Sequence, residues 1–510
     1  MLRHLSLSAY VWTFGAYLVV WIALSISILH MLEVDYSSTF FAPKTPAPRA
    51  RAYHERRNIS VDDAFLELYN FSSCYRQVDY GIVDAIQAKE LCSRDDDSTS
   101  ITHLPGDGLW TDGSVWRNFG LDMRGATAMA LIKNPIEDDD GYDPRYKAQP
   151  NRVLCGQCAL QDPTALSSLL AHVFPQHANE STPEWRCNQR ERVVYDTEIK
   201  ERAIIVARKD ATNPYYLLSA AINAWVVATH QLQWSPSTTR VVFLDDAGRM
   251  EYDSIFQKLL SPAHDVIYGT DLVGKRVGFP NDALFVPFEH FGPLTQHLDD
   301  EQPCFESYLL QDFRDAAFDA FKVPRVTHSP VHDATRACVV TIVSRRPVRG
   351  RNVNRMWANE DDVLRAMQDK YGRHCRFQAV DFATKSMADQ IALIADSRVI
   401  IGMHGAGLSN VLFAAAHAYV IEIFPLLTEK FGYRNLCQYL GLEYIAVRDG
   451  IDTIWPTQHK TIALDEWFRT FDLVMDVVLR AQAKTAYEQR KAIQRKIHRR
   501  HILDDEFPDV

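Results

Sequence analysis

The stretch that most constrains this chain runs from Val399 to Pro425 and reads VIIGMHGAGLSNVLFAAAHAYVIEIFP. Val399-Ile400-Ile401 is a short β-branched run and predicts a buried strand. A glycine-dense turn follows, Gly402-Met403-His404-Gly405-Ala406-Gly407. A short helix is expected to open near Leu408 or Ser409 and to carry Asn410, Val411, Leu412 and Phe413. The chain then returns to a second buried strand, Tyr419 to Phe424, which Pro425 stops. Strand, turn, helix, strand make one βαβ unit.

Glycines let the backbone turn sharply and leave its N–H groups open to a ligand. A helix N-terminus adds unpaired amides and partial positive charge, which suits a phosphate or diphosphate. His404 sits in the turn and is a candidate donor to a phosphate oxygen. Glu422 interrupts an apolar strand, which is costly unless its carboxylate finds a partner; a ribose hydroxyl pair is the partner expected. The spacing of Gly402, Gly405 and Gly407 does not fit the dinucleotide fingerprint, and no lysine completes a P-loop. Taken alone, the glycines describe a tight connection as well as they describe a ligand site.

Two further α/β stretches precede this unit. From Arg202, Ala203–Ala207, Val241–Leu244 and Asp265–Tyr268 are strand candidates separated by helical spacing over 215–229 and 252–260. Such alternation predicts a parallel sheet covered on both faces, with ligands beyond the carboxyl ends of its strands. Asp245 and Asp246 fall at such an end. Either is a candidate base for an acceptor hydroxyl, and either is equally a cap for the next helix. A second segment starts at Ala337–Val343 and ends in Ser344-Arg345-Arg346, with Arg349, Arg351 and Arg355 behind it. Guanidinium forks match phosphate oxygens, so this cluster suits a diphosphate; a basic surface loop is the alternative.

At the amino end, residues 9–32 carry no ionisable side chain other than tyrosine and His30 and are long enough to span a bilayer. Arg3 precedes the run and Glu33 and Asp35 follow it, so the remainder is expected on the luminal side. A cleaved signal peptide is the rival reading, although the run exceeds a usual signal core. Beyond it lie the sequons at Asn58, Asn70 and Asn179. Nine cysteines, an odd number, leave at least one thiol outside intrachain pairing. Cys155-Gly-Gln-Cys158 has no second such pair and suits a disulfide better than zinc. The formal net charge of -10 argues against a nucleic-acid surface. The acidic runs Asp95–Asp97 and Glu137–Asp140 follow no clear strand and suit solvated loops better than a metal site. Trp110 and Trp116, between them, suit a core better than a sugar platform.

Pieces of the chain from about Arg192 to Val447 resemble family 61 glycosyltransferases, the C-terminal part best. Val340–Arg346 looks like the family's strand ending in Ser-Arg-Arg, Asn359-Glu360 like the opening of its next helix, and Val380-Asp381-Phe382 like its following strand end. His404-Gly-Ala-Gly-Leu408 followed by Ile421-Glu-Ile-Phe-Pro425 is the most specific part; Gly432-Tyr433 and Gly441–Tyr444 complete it. The resemblance implies an α/β chain of GT-B type, two Rossmann-like domains facing a cleft, behind a single N-terminal transmembrane helix. It implies a type II Golgi or endoplasmic-reticulum membrane protein, with the catalytic part luminal. The divisions expected are a cytosolic tail (1–8), membrane helix (9–32), stem (33–60), acceptor domain (61–330), donor domain (331–480) and basic tail (481–510). The implied reaction is inverting transfer of xylose, arabinose or GlcNAc from a UDP sugar to a glycan or glycoprotein, with no metal required. Carried over by position, Arg345, Arg346, His404, Gly405, Ala406, Gly407, Leu408 and Glu422 are the donor-site residues. The amino-terminal match departs from the family, which has a histidine where this chain has Tyr216 and an aspartate where it has Ala220. That departure leaves Asp245 and Asp246 as candidate bases. It also keeps open a catalytically inactive glycan- or partner-binding protein on the same fold.

Overall fold

The computed structural model describes residues 78–92, 99–104, 113–126, 152–155, 184–186, 194–208, 213–245, 248–286, 304–324, 338–347, 353–425, 428, 430–454 and 457–481. The apolar run at 9–32, the three sequons, both acidic runs, Trp110, Asp246, Arg349, Arg351 and the basic tail lie outside them. Among the described residues no helix is long and apolar enough to cross a membrane.

The amino-terminal half is built on a seven-stranded sheet. Four of its strands are parallel: β1 (Arg202–Val206), β2 (Thr239–Phe243), β3 (Ile267–Tyr268) and β4 (Ala283–Phe285), in the order β4-β1-β2-β3. Helix α1 (Pro214–Trp225) links β1 to β2, and α2 (Asp253–Leu260) links β2 to β3. The start of α1 follows from sequence: Asn213 accepts from the Tyr215 amide at 3.1 Å and Pro214 occupies the first turn, where its missing N–H costs nothing.

This sheet differs from a doubly wound one. Lys89–Cys92, Ser100–Leu104 and Gly113–Arg117 extend it antiparallel from β4. One face carries helices, as expected. The other is covered by a five-stranded sheet holding Phe119–Asp122 and Arg276–Phe279. The reason is aromatic: Trp116, Phe119, Phe279 and Phe285 fill the space between the sheets, with Phe119 and Phe279 stacked at 4.8 Å. Trp116 is wholly buried and donates to Ser114 Oγ at 2.8 Å, which makes it a core residue.

The carboxyl-terminal half holds a five-stranded, all-parallel sheet: β5 (Cys338–Val343), β6 (Cys375–Val380), β7 (Val399–Met403), β8 (Tyr419–Ile423) and β9 (Glu443–Val447). The order is β6-β5-β7-β8-β9, a doubly wound arrangement whose switch point lies between β5 and β7. Every residue of β5 and β7 is buried, as strands covered on both faces must be. One face meets α4 (Glu360–Tyr371) and the helical residues 464–481, whose Trp467, Phe471, Met475 and Val478 are buried. The other face meets α5 (Met387–Asp396) and α6 (Gly432–Leu440). There the core runs on without a break to α1, α2 and α3 (Tyr308–Phe321) of the first half.

Cys338 and Cys375 pair across the starts of β5 and β6, while Cys92 and Cys304 are each in disulfides. Cys437 is a buried free thiol.

One buried carboxyl gives this fold a pH dependence. Asp79 accepts from the Leu309 amide at 2.9 Å at the start of α3. Burial, assisted by nearby Asp312, raises its pKa to about 6. A folded-state pKa above the unfolded one favours the fold while the group is protonated, and that contribution is lost as pH rises through about 6. In Asp79→Asn the amide oxygen still accepts from Leu309 and never charges. The variant is expected to gain on wild type by roughly 1–1.5 kcal/mol between pH 5 and pH 7.5, measured by urea unfolding at both. An equal difference at the two pH values would refute this.

Candidate functional site

The candidate site forms at the switch point of the carboxyl-terminal sheet, where β5 and β7 end side by side. Val343 pairs with Gly402. Two residues beyond each partner stand Arg345 and His404. The structure therefore brings together the arginine cluster and the glycine turn, which are some sixty residues apart in sequence.

Gly405 makes the contact possible. Its φ of 153° is one that L side chains rarely adopt, and an added Cβ would lie 1.8 Å from Arg345 Nη1. The Arg345 guanidinium thus lies directly against the backbone of the turn. Gly402 and Gly407 are tight for another reason: a Cβ there would meet Leu408 at 2.8 Å and Val343 at 3.2 Å respectively. Leu408 is buried beneath the turn and is a packing residue, so its place among the donor contacts is corrected.

The helix after the turn is also corrected. It is a 3₁₀ segment, Ala406–Phe413, and it opens two residues earlier than expected. The tighter form lets residues 408–413 all be buried between α1, α5 and α6. Its first amides, at Ala406 and Gly407, precede any carbonyl they could bond within the segment, so they remain the natural anion contacts.

His404 and Glu422 form a pair. His404 Nδ1 lies 2.5 Å from Glu422 Oε1, and Tyr444 donates its hydroxyl to Glu422 Oε2 at 2.6 Å. Glu422 is wholly buried. Both its oxygens are taken within the protein, so the expectation that it binds a ribose is corrected: its partners are His404 and Tyr444. The ring of His404 stacks on Phe424 at 5.2 Å and meets Tyr433 edge-on at 5.6 Å. Its Nε2, on the far side of the ring from Glu422, makes no hydrogen bond among the described residues. Tyr444 stays protonated because burial, and then the Glu422 charge, push its pKa well up.

Arg346 turns elsewhere. Its Nη2 lies 2.7 Å from both Glu360 and Asp361 at the start of α4. Glu360 also accepts from Ser344 Oγ at 2.5 Å. Arg346 fastens the strand end to α4, and Arg345 alone of the two contacts the turn.

Asp245 is withdrawn as well. Its two oxygens accept from Arg208 Nη2 at 2.6 Å and Nε at 2.8 Å, and both side chains are fully buried. Arg208 Nη1 reaches Asp253 at 2.6 Å, and the guanidinium stacks 4.0 Å over Phe243. Burial alone would lower the Arg208 pKa; Asp245 and Asp253 more than reverse this. The expectation of Asp245 as a base for an acceptor is therefore corrected to that of a buried ion-pair partner. Tyr216 and Ala220 lie on α1, the helix that packs on the 3₁₀ segment, and Ala220 is buried.

A polar junction joins the two halves beside the turn. The Tyr252 hydroxyl, just before α2, donates to Gln390 Oε1 at 2.5 Å and accepts from Asn410 Nδ2 at 3.0 Å. Asn410 Nδ2 also reaches the Gly407 carbonyl at 3.2 Å. Burial pushes the Tyr252 pKa up to about 12, which keeps the hydroxyl neutral. Glu251 accepts from the Met387 amide at 2.8 Å. None of Tyr252, Gln390, Arg208 or Tyr444 stands out in sequence as a partner of the site. Only Tyr444 leaves a signal: it sits two residues before Ala446, which pairs with Glu422, and so shares a sheet face with it.

Residues 286–421 match the family model described as Glycosyltransferase 61. This part of the chain is similar to glycosyltransferase family 61. An EGF domain-specific O-linked N-acetylglucosamine transferase of Drosophila melanogaster is 29% identical over 178 residues, 34% of this chain and 31% of its own length. A beta-1,2-xylosyltransferase of Arabidopsis thaliana is 23% identical over 283 residues, 49% of this chain and 52% of its own. The Canis lupus familiaris EGF domain-specific transferase is 24% identical over 322 residues, 61% and 56%. The chain thus spans between about a third and somewhat over half of these relatives. The matched segment includes β5 to β7, the turn and the 3₁₀ segment, and ends within β8 just before Glu422.

Proposed function

We propose that the chain is an inverting glycosyltransferase that moves a sugar, xylose, arabinose or N-acetylglucosamine, from a UDP donor to a glycan or glycoprotein. The observation that carries this reading is the meeting of Arg345, His404 and the Gly405 backbone at the switch point of a parallel sheet. Such a point is where doubly wound sheets bind nucleotides. Arg345 supplies a bidentate fork, and the turn supplies amides, to offset the charge that develops on a departing diphosphate. This donor-site chemistry asks for no metal ion. The disulfides support a secretory-pathway location, since thiols stay reduced in the cytosol. An N-terminal anchor over residues 9–32 belongs to the same proposal.

A second reading, a glycan- or partner-binding protein on this fold, is favoured by one observation. The positions that would supply the family's base hold Tyr216 and Ala220, and Asp245 is locked to Arg208. The two readings part on turnover.

The test is calorimetric titration of the disulfide-intact luminal protein with UDP and with UDP sugars, with and without manganese. Wild type is expected to bind without metal. Arg345→Ala is expected to weaken UDP about 10- to 100-fold, the worth of one or two charge-assisted hydrogen bonds, with an unchanged unfolding midpoint. Unchanged affinity would sink the donor-site assignment. Binding with no sugar released to any acceptor or to water would favour the second reading.

A further inference from the structure

We propose that Glu422 and Tyr444 are positioning residues that clamp the His404 ring, with Nδ1 turned to Glu422 and Nε2 presented to the donor diphosphate. This inference rests on the donor-site reading above.

The argument starts from Glu422. A carboxylate buried in a parallel strand needs donors or a counter-charge on both oxygens. Tyr444 supplies one hydroxyl and His404 Nδ1 the other contact. The remaining groups around this pair do not compete for it. Cys437 of α6 stays a neutral thiol, because burial and then Glu422 push its pKa up. Tyr433 of the same helix meets His404 edge-on. Arg345, from the end of β5, lies against Gly405 on the ligand side. Arg448, beyond β9, stacks on Phe424 at 4.4 Å, the ring that backs the imidazole. His404 is therefore clamped: Nδ1 points to Glu422, the ring plane is set by Phe424, and Nε2 is left to a ligand.

With Nδ1 held by Glu422, Nε2 is the ring nitrogen left to meet a phosphate oxygen. His404 then serves the leaving group. In an inverting transfer the acceptor attacks from the face opposite the diphosphate, so a ring held beside Gly405 is on the wrong side to be the acceptor's base.

The experiment titrates UDP into wild type, Glu422→Gln, Tyr444→Phe, His404→Gln and the His404→Gln/Glu422→Gln double variant. Glutamine keeps an acceptor for the ring but removes the charge. Glu422→Gln is expected to bind UDP about 10-fold more weakly. Tyr444→Phe is expected to lose about 3- to 10-fold, the worth of one hydrogen bond. In the His404→Gln background the Glu422→Gln change is expected to cost nothing further, since a positioning residue acts only through the ring it holds. Nitrogen-15 spectra of the ligand-free protein report the folded state of each variant and the Nδ1–H signal, which Glu422→Gln should shift. Wild type that fails to bind UDP would overturn the donor-site reading, and this inference with it. Wild type that binds, with Glu422→Gln folded and unchanged in affinity, would overturn this inference alone.

Discussion

Asp245→Asn is expected to destabilise the protein by roughly 3–5 kcal/mol, the usual cost of leaving one member of a buried ion pair uncompensated. Arg208 would keep Asp253 and the Gly248 carbonyl, but it would lose the charge that now meets two of its nitrogens. No solvent reaches the guanidinium to replace it, since the Arg208 and Asp245 side chains are both wholly buried. Urea unfolding of the purified variant measures this directly. The outcome separates two roles for one residue. A catalytic base converted to its amide leaves stability intact and removes turnover, whereas a structural carboxylate converted to its amide loosens the whole amino-terminal sheet. A variant as stable as wild type would restore Asp245 as a base.

Gly405→Ala is expected to weaken UDP binding by about 100-fold or more. Two effects add. An alanine at φ 153° is strained, which costs on the order of 1–3 kcal/mol. Its Cβ would also displace Arg345, whose Nη1 lies 1.8 Å from that position, and an arginine–phosphate contact is worth about 1.5–3 kcal/mol. Gly407→Ala is the internal control. Its Cβ meets only Val343 Cγ1 at 3.2 Å, a neighbour that can give, so a few-fold loss is expected. Calorimetry on both variants decides the matter. Equal losses would mean that the turn acts through its general shape and not through the Arg345–Gly405 contact.

Much of the carboxyl-terminal half was legible before any coordinates. β5, β7 and β8 are short runs rich in β-branched residues, and such runs have few other stable fates. Pro425 and the glycine turn punctuate them. The amino-terminal half was legible only where strands and helices alternate, from Arg202 to Tyr268. Its second sheet was not, because Phe119–Asp122 and Arg152–Cys155 are four residues each and carry no periodicity long enough to read. Their place is fixed by aromatic packing between sheets, which no local pattern records.

The candidate site divides in the same way. The sequence by itself determined that residues 399–425 form a strand, glycine turn, short helical segment and strand, because β-branching, glycine and proline act locally. It also marked Glu422 as a carboxylate in need of a partner. Only the tertiary structure decided which partner. Strand pairing placed Tyr444 and His404 around Glu422, gave Arg345 to Gly405 and sent Arg346 to Glu360. It buried Asp245 against Arg208, 37 residues away in the chain. Side-chain chemistry states what a residue can do. Which of those things it does depends on which groups reach it first, and for these residues that is set by strand order and register, not by neighbours in sequence.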